Sequence, residues 1–517
     1  MKVQNQRRAS RGRVVSARNG CLRYHTSVTT YHIENFGCRA TQADGAELAL
    51  QFKARGLAPA TATEADIVLL NTCTVTSSAD RDARAAIRRV QRENPLAKIV
   101  VTGCYAQRAP LEIAALPGVS AVIGNSHKHQ LADLVLGESA WERILEQDFL
   151  GDGSFFPISR LAGKPAKAQE AKVATPVWVS DIFAHTELLA APVFDSAQTA
   201  GSREERIRPN LKVQDGCDNR CSFCVIPSVR GHSRSLPFAK VIDQMNTLVA
   251  AGYREVVVSG INLGRWGRDL EEEKSYDDGL PTFESLLRAI LAQTNLEKLR
   301  ISSVEPMDWT DELISLVADS PRIAKHAHVP LQSGSDAVLR RMHRKYRPWH
   351  YRQKIEQIHS AMPAAAIGAD VMTGFPGESE AEFESTCSFI EDLPFTYLHV
   401  FTYSARPGTR AAAMPHQVPV HVARERNKVL SGLAEKKKRA FMESFIGKKL
   451  PAITLGAIRT GPKGRLTEAL TDNYQKIFLD GEHTPNRWIS VQVDGVENGA
   501  MGGRAENEGS KVVIDGS

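Results

Sequence analysis

Long apolar runs are missing from this sequence of 517 residues. No stretch approaches the roughly 20 apolar residues of a membrane-spanning helix, so an integral membrane protein is not expected. Cysteine is also scarce, because eight cysteines in a chain of this length are too few for a disulfide scaffold. The hydrophobic fraction of 42% and the charged fraction of 24% are ordinary for a globular protein, and the length predicts about three domains.

Excess charge of one sign is confined to the N-terminus. The net charge is +6, but the first 30 residues contain seven basic residues and no acidic one, so the remainder is nearly neutral. The overall charge therefore does not argue for nucleic-acid binding. Residues 1–27 have the arginine-rich composition of an organellar transit peptide and lack the apolar segment of a secretion signal. We expect this basic extension to be disordered or a wrongly assigned start, with a targeting role as the alternative.

Strands that alternate with helices predict a parallel sheet in residues 28–137. Three short apolar segments have the composition of strands, at 31–36, 67–71 and 98–103. A helix is predicted from Ser77 to Arg92, with Ser77 or Ser78 as its N-cap. The following segment, 138–206, is weakly patterned and predicts an interdomain connection with some helix.

The alternation resumes near Leu211 and predicts a central unit over residues 207–446. Six segments resemble strands, at 210–214, 254–260, 297–303, 325–330, 366–372 and 397–403. Because no seventh or eighth repeat follows, we expect an incomplete (β/α)6 barrel, in which the loops after the strands carry the chemistry. A basic helix near 421–446 ends this unit. Residues 421–449 contain nine basic residues and three acidic ones.

Residues 447–517 change to short alternating segments with frequent glycine. Two of them have the composition of strands, at 488–493 and 511–514. This pattern predicts a small β-barrel. The whole chain is thus predicted to be α/β, with a parallel N-terminal domain, an incomplete barrel and a C-terminal β-barrel.

Three of the eight cysteines, Cys217, Cys221 and Cys224, lie within eight residues directly after a predicted strand. Three thiolates can hold three irons of a four-iron cluster and leave the fourth iron open to a small molecule. A zinc site with His232 as fourth ligand and buried structural cysteines are the alternatives. The clustering favours metal binding in a reducing compartment, and we expect a cytoplasmic protein.

Cys38, Cys73 and Cys104 each follow a predicted strand. The carboxyl ends of parallel strands lie along one edge of a sheet, where open α/β folds bind ligands. The three thiols are therefore predicted to converge, although buried apolar cysteine is the ordinary alternative for each one. Cys21 and Cys387 show no such placement and are expected to be structural or free.

The motifs resemble the methylthiotransferase family of radical S-adenosylmethionine (SAM) enzymes. The matching segments are FGC (36–38), NTCTVT (71–76), TGCYAQ (102–107), DGCDNRCSFCVIPSVRG (215–231), PLQSGSD (330–336) and GFPGE (374–378). The resemblance implies a cluster-binding N-terminal domain, a radical SAM domain and a C-terminal TRAM domain that contacts RNA. It also implies two [4Fe–4S] clusters, the second on Cys38, Cys73 and Cys104. The basic extension and a long spacer before Cys217 depart from the family pattern and touch no motif residue.

Other residues rank below the cysteines as candidates for SAM binding. Phe223 is a candidate for packing on the adenine, with a core aromatic as the alternative. Gly260 and Asn262, in the turn at 259–264, are expected to receive the amino and carboxylate ends of SAM, and Gln332 and Asp370 lie at later strand ends. The run LRRMHRKYR (339–347) is interpreted as a phosphate-binding rim, with a solvated helix face as the alternative.

Within the family, the resemblance is greatest to the branch that adds a methylthio group to carbon 2 of threonylcarbamoyladenosine in tRNA. Isopentenyladenosine in tRNA and an aspartate of a small-subunit ribosomal protein are the alternatives, and a non-catalytic iron–sulfur RNA-binding protein is the alternative of another class. The carboxylate of the threonylcarbamoyl group predicts a cationic partner, for which Arg230 and Arg406 are candidates, with structural ion pairing as the alternative for each. An electron donor such as flavodoxin or ferredoxin and a sulfur donor are the further partners implied.

Overall fold

The structure is a computed structural model and describes residues 28–137, 175–189, 207–270, 281–461 and 464–506. The basic extension with Cys21, most of the predicted interdomain segment and the strand predicted at 511–514 lie outside the described residues. Within the described ranges, no helix is long and apolar enough to cross a membrane.

The N-terminal domain is built on a parallel sheet of six strands in the order β2-β1-β3-β4-β5-β6. Its strands are β1 (Thr30–Asn35), β2 (Ala58–Pro59), β3 (Ile67–Thr72), β4 (Lys98–Gly103), β5 (Val119–Ile123) and β6 (Val177–Trp178). Every residue of β3 is buried, because helices cover both faces of a parallel sheet and its strands become continuously apolar. The parallel sheet is confirmed. The sequence reasoning missed the short strands β2 and β6, and β6 adds to the sheet from the segment predicted as an interdomain connection.

Five helices accompany this sheet. They are α1 (Arg39–Ala54), α2 (Ser77–Glu93), α3 (Cys104–Arg108), α4 (Pro110–Ala114) and α5 (Leu131–Leu136). The sequence predicted Ser77 or Ser78 as the N-cap of α2, and this is wrong, because the N-cap is Thr76. Thr76 has extended backbone angles, and its hydroxyl accepts a hydrogen bond from the Ala79 N–H at 3.2 Å. The two serines already lie in the first turn.

Six parallel strands form the central domain. They are β7 (Asn210–Lys212), β10 (Glu255–Ser259), β11 (Lys298–Ile301), β12 (His326–His328), β13 (Ala366–Thr373) and β14 (Tyr397–Thr402). They pair as two sheets, β11-β10-β7 and β12-β13-β14, which the bridges Leu299–Ile323 and Ser303–His328 connect. Among the described residues no pairing joins β7 to β14, so the barrel is incomplete, as predicted.

The helices of the central domain pack outside the strands. They are α6 (Ile226–Arg230), α7 (Phe238–Ala250), α8 (Phe283–Gln293), α9 (Asp311–Asp319), α10 (Asp336–Arg341), α11 (Pro348–Ala361), α12 (Glu380–Asp392) and α13 (Val420–Glu443). Strands β8 (Gln214–Asp215) and β9 (Arg234–Ser235) form a separate antiparallel ribbon beside the barrel. A single apolar core, which includes Leu211, Val258 and Ile290, joins the strands to these helices.

The C-terminal domain is a closed five-stranded barrel in the order β15-β16-β17-β19-β18. Its strands are β15 (Lys449–Gly461), β16 (Gly464–Thr471), β17 (Lys476–Asp480), β18 (Trp488–Glu497) and β19 (Ala500–Ala505). The loop between β16 and β17 contacts the central barrel, because the Arg300 guanidinium donates to the carbonyl of Asp472 at 3.2 Å. The Asn473 amide likewise donates to the carbonyl of Ala364 at 3.0 Å. The C-terminal domain therefore contacts the central barrel through this loop, and the Asn486 amide adds a contact by donating to the carbonyl of Gly252 at 2.8 Å.

The buried pair Arg300–Glu255 fixes this attachment, with Arg300 Nε 2.6 Å from Glu255 Oε1. We expect Arg300→Met to lower the free energy of unfolding by about 3 kcal/mol, because Glu255 would remain as a buried charge with a weaker partner. Urea unfolding measures this loss. Combining Arg300→Met with Glu255→Gln should recover most of it, and a double variant as unstable as the single one would contradict the prediction.

Candidate active site

Cys217, Cys221 and Cys224 lie on one loop between β8 and α6. The loop begins at Gly216, which has φ of +72°, and a Cβ there would lie 1.8 Å from the carbonyl oxygen of His232. Only glycine fits this approach. The Cys217 N–H donates to the carbonyl of Gly231 at 3.1 Å, and the Cys224 N–H donates to the carbonyl of Cys221 at 3.1 Å. The loop conformation is thus set by its own backbone.

The same loop is fixed to the far side of the barrel through Ser222. The Ser222 hydroxyl donates to the carbonyl of Arg341 at 2.8 Å, and its N–H donates to the carbonyl of Met342 at 3.0 Å. Phe223 is half-buried and packs on an apolar cluster that includes Met342 and Phe375. The PLQSGSD region and the helix after it therefore support the cysteine loop.

The three thiols of this loop need a cation to ionise together. Burial raises the pKa of Cys217 to about 11 and that of Cys224 to about 12, and the neighbouring thiols of the set add to both shifts. Two side-chain donors face the sulfurs: Arg344 lies 3.2 Å from Cys221 Sγ, and the Asn262 amide lies 3.7 Å from Cys217 Sγ. The Asn219 N–H also donates to Cys217 Sγ, at 3.4 Å. Such a set suits a metal group that binds thiolates.

The spacing of the sulfurs favours a cluster over a single zinc ion. Tetrahedral zinc with thiolate ligands places its sulfurs about 3.8 Å apart. In the described part of the chain, neither cysteine set has three ligand atoms within 4.8 Å of one another. The predicted zinc partner His232 is exposed and engages Asp218, with Nδ1 2.7 Å from Oδ1. The donors therefore fit a larger, polynuclear group.

Cys38, Cys73 and Cys104 converge at the carboxyl edge of the N-terminal sheet. Cys38 is the N-cap of α1, Cys73 follows β3, and Cys104 begins α3 after β4. A Cβ on Gly37 would lie 2.6 Å from Cys73 Cβ and 2.9 Å from its Sγ, so glycine lets the first two cysteines approach. Burial raises the pKa of Cys73 to about 12, and the nearby thiols of Cys104 and Cys38 raise it further.

Helix α6 connects the two cysteine sets. Its residues Ile226 and Val229 pack on Cys104, although the helix directly follows the loop of Cys224. Asn125 spans the same junction, because its amide lies 3.6 Å from Cys104 Sγ and 2.7 Å from the carbonyl of Val229. The structure therefore places both sets at the contact between the N-terminal and central domains.

A cavity of about 260 Å³ lies inside the incomplete barrel. All three domains line it, with Cys38 and Arg39 from the first, Gly260, Arg300 and Asp370 from the second, and Tyr474 from the third. Its wall includes the charged side chains of Arg39, Arg300 and Asp370. It is the site where a substrate would meet both the barrel and the second cysteine set.

Two of the residues predicted to support SAM line this cavity, and the others lie outside its lining, with Asn262 in a separate pocket beside Arg265. Gly260 and Asp370 are the two that line the cavity. Asn262 and Gln332 are buried, and each has one side-chain oxygen, Oδ1 and Oε1 respectively, without a hydrogen-bond partner among the described residues. Gln332 also has φ of +67°, because its backbone carbonyl and N–H both pair with β13. These free oxygens suit a ligand.

Arg230 and Arg406 do not reach the cavity, so the prediction that they bind a substrate carboxylate is wrong. Arg230 is buried and donates to both oxygens of Asp215, at 2.9 and 2.8 Å, and to Asp44 at 3.1 Å. Arg406 is buried against Asp80 and donates to the Thr74 hydroxyl at 3.0 Å. Each guanidinium is held by an ion pair that crosses the contact between the N-terminal and central domains, Arg230 with Asp44 and Arg406 with Asp80.

Arg39, His328, His399 and Tyr474 are among the cavity residues that the sequence reasoning missed. The two histidines lie on β12 and β14 with Asp370 between them, and His328 Nε2 is 3.2 Å from Asp370 Oδ2. Burial would raise the pKa of Asp370, but hydrogen bonds from His328 and His399 hold it well below its usual value. The signal for the histidines was their alternation with apolar residues in KHAHVP and YLHVFT.

Comparisons with known proteins agree with this architecture. Residues 30–124 match the Uncharacterized protein family UPF0004, and residues 211–390 match the Radical SAM superfamily. Threonylcarbamoyladenosine tRNA methylthiotransferase MtaB of Bacillus subtilis is 36% identical over 418 residues, which are 81% of this chain and 82% of that protein. The tRNA-2-methylthio-N(6)-dimethylallyladenosine synthase of Novosphingobium aromaticivorans is 32% identical over 425 residues, 82% of this chain and 86% of that protein. The methyltransferase TsrM of Kitasatospora setae aligns with a TM-score of 0.49 at 14% identity, over 75% of this chain and 77% of that chain.

An incomplete parallel barrel with a three-cysteine loop after its first strand defines a radical SAM enzyme. The chain belongs to the radical SAM methylthiotransferase family, whose cofactors are [4Fe–4S] clusters and SAM. The resemblance inferred from the motifs is therefore confirmed. The alternative of a non-catalytic iron–sulfur RNA-binding protein is wrong. The assignment of particular cysteines to each cluster stays a prediction.

That assignment can be tested by iron content. Anaerobically reconstituted protein should hold about eight irons per chain, four for each three-cysteine set. Replacing Cys38, Cys73 and Cys104 with Ala should halve this number and leave reductive SAM cleavage intact, whereas replacing Cys217, Cys221 and Cys224 should abolish cleavage. Cys387→Ala is the matched control, because this half-buried free thiol lies on α12 and belongs to neither set. Full iron content in the first triple variant would contradict a second cluster.

Proposed function

We propose that this enzyme attaches a methylthio group to carbon 2 of threonylcarbamoyladenosine, next to the anticodon of tRNA. The observation that supports this most is the position of Cys38, which lines the cavity of the radical SAM barrel together with Gly260 and Asp370. A base in that cavity would face the second cysteine set directly. Radical formation and sulfur transfer would then act on one bound nucleotide.

In this proposal Cys217, Cys221 and Cys224 hold the cluster that binds SAM, and Cys38, Cys73 and Cys104 hold the second. When bound, the first cluster supplies one electron that splits SAM into methionine and a 5′-deoxyadenosyl radical able to remove the carbon 2 hydrogen, and a second SAM supplies the methyl group. The chain shapes these sites. Arg344 and Asn262 donate toward the sulfurs of Cys221 and Cys217, which favours the thiolate form and tunes a cluster.

The choice of substrate rests on the relatives and on the charged side chains of the cavity wall. The Bacillus subtilis relative is named for threonylcarbamoyladenosine, whereas the Novosphingobium relative, at lower identity, is named for the dimethylallyl compound. A dimethylallyl group is apolar and offers no partner to a charged side chain of this wall. A base in the single-stranded anticodon loop can be splayed out into such a pocket.

The substrate is tested by nucleoside analysis. Purified enzyme, given one tRNA with threonylcarbamoyladenosine and one with isopentenyladenosine, should add the mass of a methylthio group to the first. Mass spectrometry of the digested nucleosides measures the conversion. Preferential conversion of the isopentenyl tRNA would contradict the proposal, and activity only on a ribosomal protein would exclude tRNA as substrate.

The reaction also requires a reductant and a sulfur source, and we propose a flavodoxin or ferredoxin and a separate sulfur donor in these roles. For the tRNA backbone we propose a rim beside the cysteine loop. Arg220 and Lys345 are exposed there and border the same pocket as Cys221. The basic run at 339–347 that the sequence predicted as this rim is only partly available for phosphate binding. Arg344 pairs with Glu305, Arg341 with Glu382 and Arg347 with Asp336.

Neutralising the rim should change the salt dependence of tRNA binding. Arg220→Ala with Lys345→Ala should reduce the slope of log affinity against log salt by about two, because each phosphate contact releases a counterion. The comparison variant is Lys436→Ala with Lys438→Ala on α13, where Lys437 is already held by the carbonyls of Glu391 and Leu393. A slope that changes only in the comparison variant would place the tRNA on α13.

A further inference from the structure

Arg39 is the first residue of α1, and its side chain borders the cavity of the incomplete barrel. Within the described part of the chain, the charged groups that act on it are Arg208 and Arg300, with the phenols of Tyr474 and Tyr397, and none of them is an acid. Burial lowers the pKa of Arg39, and the two neighbouring arginines lower it further. Arg39 is thus a partly buried cation without a counterion in the protein.

The other two arginines are already paired. Arg300 Nε lies 2.6 Å from Glu255 Oε1, and Arg208 lies 3.5 Å from the same oxygen. Three guanidiniums therefore lie on this side of the cavity, and two of them, Arg300 and Arg208, share the Glu255 carboxylate. An imbalance of this kind is expensive in a buried site unless a further anion binds there.

The opposite side of the cavity cannot supply that anion. Asp370 is the carboxylate in the cavity wall, and it is held by His328 and by His399, whose Nδ1 lies 3.3 Å from Asp370 Oδ1. The Tyr397 hydroxyl bonds to His326 at 2.7 Å and to His328 at 3.0 Å. Each of these groups is engaged within its own network, which leaves Arg39 as the cation available to a ligand.

We propose that Arg39 binds the carboxylate of the threonylcarbamoyl group and thereby selects the substrate, an inference that rests on the proposed function. A guanidinium can grip a carboxylate through two parallel hydrogen bonds. An apolar substituent on the same base would bury Arg39 unpaired, so the site rejects it by a large factor. Arg39 also follows Cys38 directly, so the residue that reads the substituent adjoins the proposed ligand of the second cluster.

The test compares two anticodon stem–loop RNAs that differ in one group. One carries threonylcarbamoyladenosine, and the other carries its amide, in which a neutral carboxamide replaces the carboxylate. The unmodified enzyme should prefer the carboxylate RNA in kcat/KM by about 10- to 100-fold, the range expected for a charged hydrogen bond. Arg39→Gln should lose that factor on the carboxylate RNA, mainly through KM, and change by less than about threefold on the amide RNA.

Two further variants separate recognition from structure. Arg39→Lys keeps the charge and should recover part of the preference. Arg55→Gln is the matched control, because Arg55 ends the same helix and pairs with Asp133 at the surface, 2.7 Å away. It should retain the full preference. Iron content and SAM cleavage without RNA are measured in every variant, so that a damaged cluster is recognised.

The outcomes distinguish the two proposals. If the unmodified enzyme converts neither RNA but converts an isopentenyladenosine RNA or a protein, the proposed function fails. If it converts threonylcarbamoyladenosine without preferring the carboxylate, or if Arg39→Gln loses equally on both RNAs with its iron intact, the proposed function stands and Arg39 is not the specificity residue. A selective loss on the carboxylate RNA, with rescue by Arg39→Lys, supports the inference.

Discussion

The arrangement of the active site depends on one buried ion network between the N-terminal and central domains. Asp44 of α1 accepts from Lys128 at 3.0 Å, from Lys212 at 2.5 Å and from Arg230 at 3.1 Å. Asp215 accepts from the last two of these cations, at 2.9 and 2.8 Å. Lys212 ends β7, before the loop of Cys217, Cys221 and Cys224, and Arg230 ends α6, after that loop. The network therefore holds both ends of the loop against the N-terminal domain. Buried ion pairs contribute little net stability, but the geometry of this network fixes the position of one domain relative to the other.

The network also supplies charge where the cysteines need it. Two carboxylates face three cations, and Arg230 acts electrostatically on Cys104 and Cys38. Burial would raise the pKa of Asp44, but the charges of Lys128, Lys212 and Arg230 hold it well below its usual value, so it stays ionised. A positive charge therefore remains in excess beside Cys38 and Cys104, the thiols proposed to hold the second cluster.

A second ion cluster repeats this excess beside Cys73. Asp80 is paired with both Arg108, at 2.9 Å, and Arg406, and both arginines also donate to Thr74, the residue after Cys73. Arg406 follows the last barrel strand, so this contact fixes the open end of the barrel to α2. The two arginines that the sequence reasoning assigned to the substrate thus serve the cysteines and the domain contact instead.

The chemistry could be predicted from the sequence where it depends on local spacing. Cys217, Cys221 and Cys224 are neighbours in the chain, and Cys38, Cys73 and Cys104 follow strands whose parallel pairing brings their ends together. Residues of the cavity wall carry no such signal. Arg39 and Tyr474 are far apart in sequence, and only the packing of three domains places them together. The roles assigned to Arg230 and Arg406 failed for the same reason, because ion pairs such as that of Arg230 with Asp44 cross the domain contact.

The C-terminal barrel consequently contributes to the wall of the cavity. Its loop reaches the central barrel through Asp472 and Asn473, and the Tyr474 ring stands 5.2 Å from the Arg300 guanidinium at the cavity wall. Tyr474 and Arg208 have opposite effects on Arg39. The phenol of Tyr474 favours the charged form of the guanidinium, whereas the positive charge of Arg208 disfavours it. Any movement of the C-terminal barrel therefore changes the surroundings of the cavity.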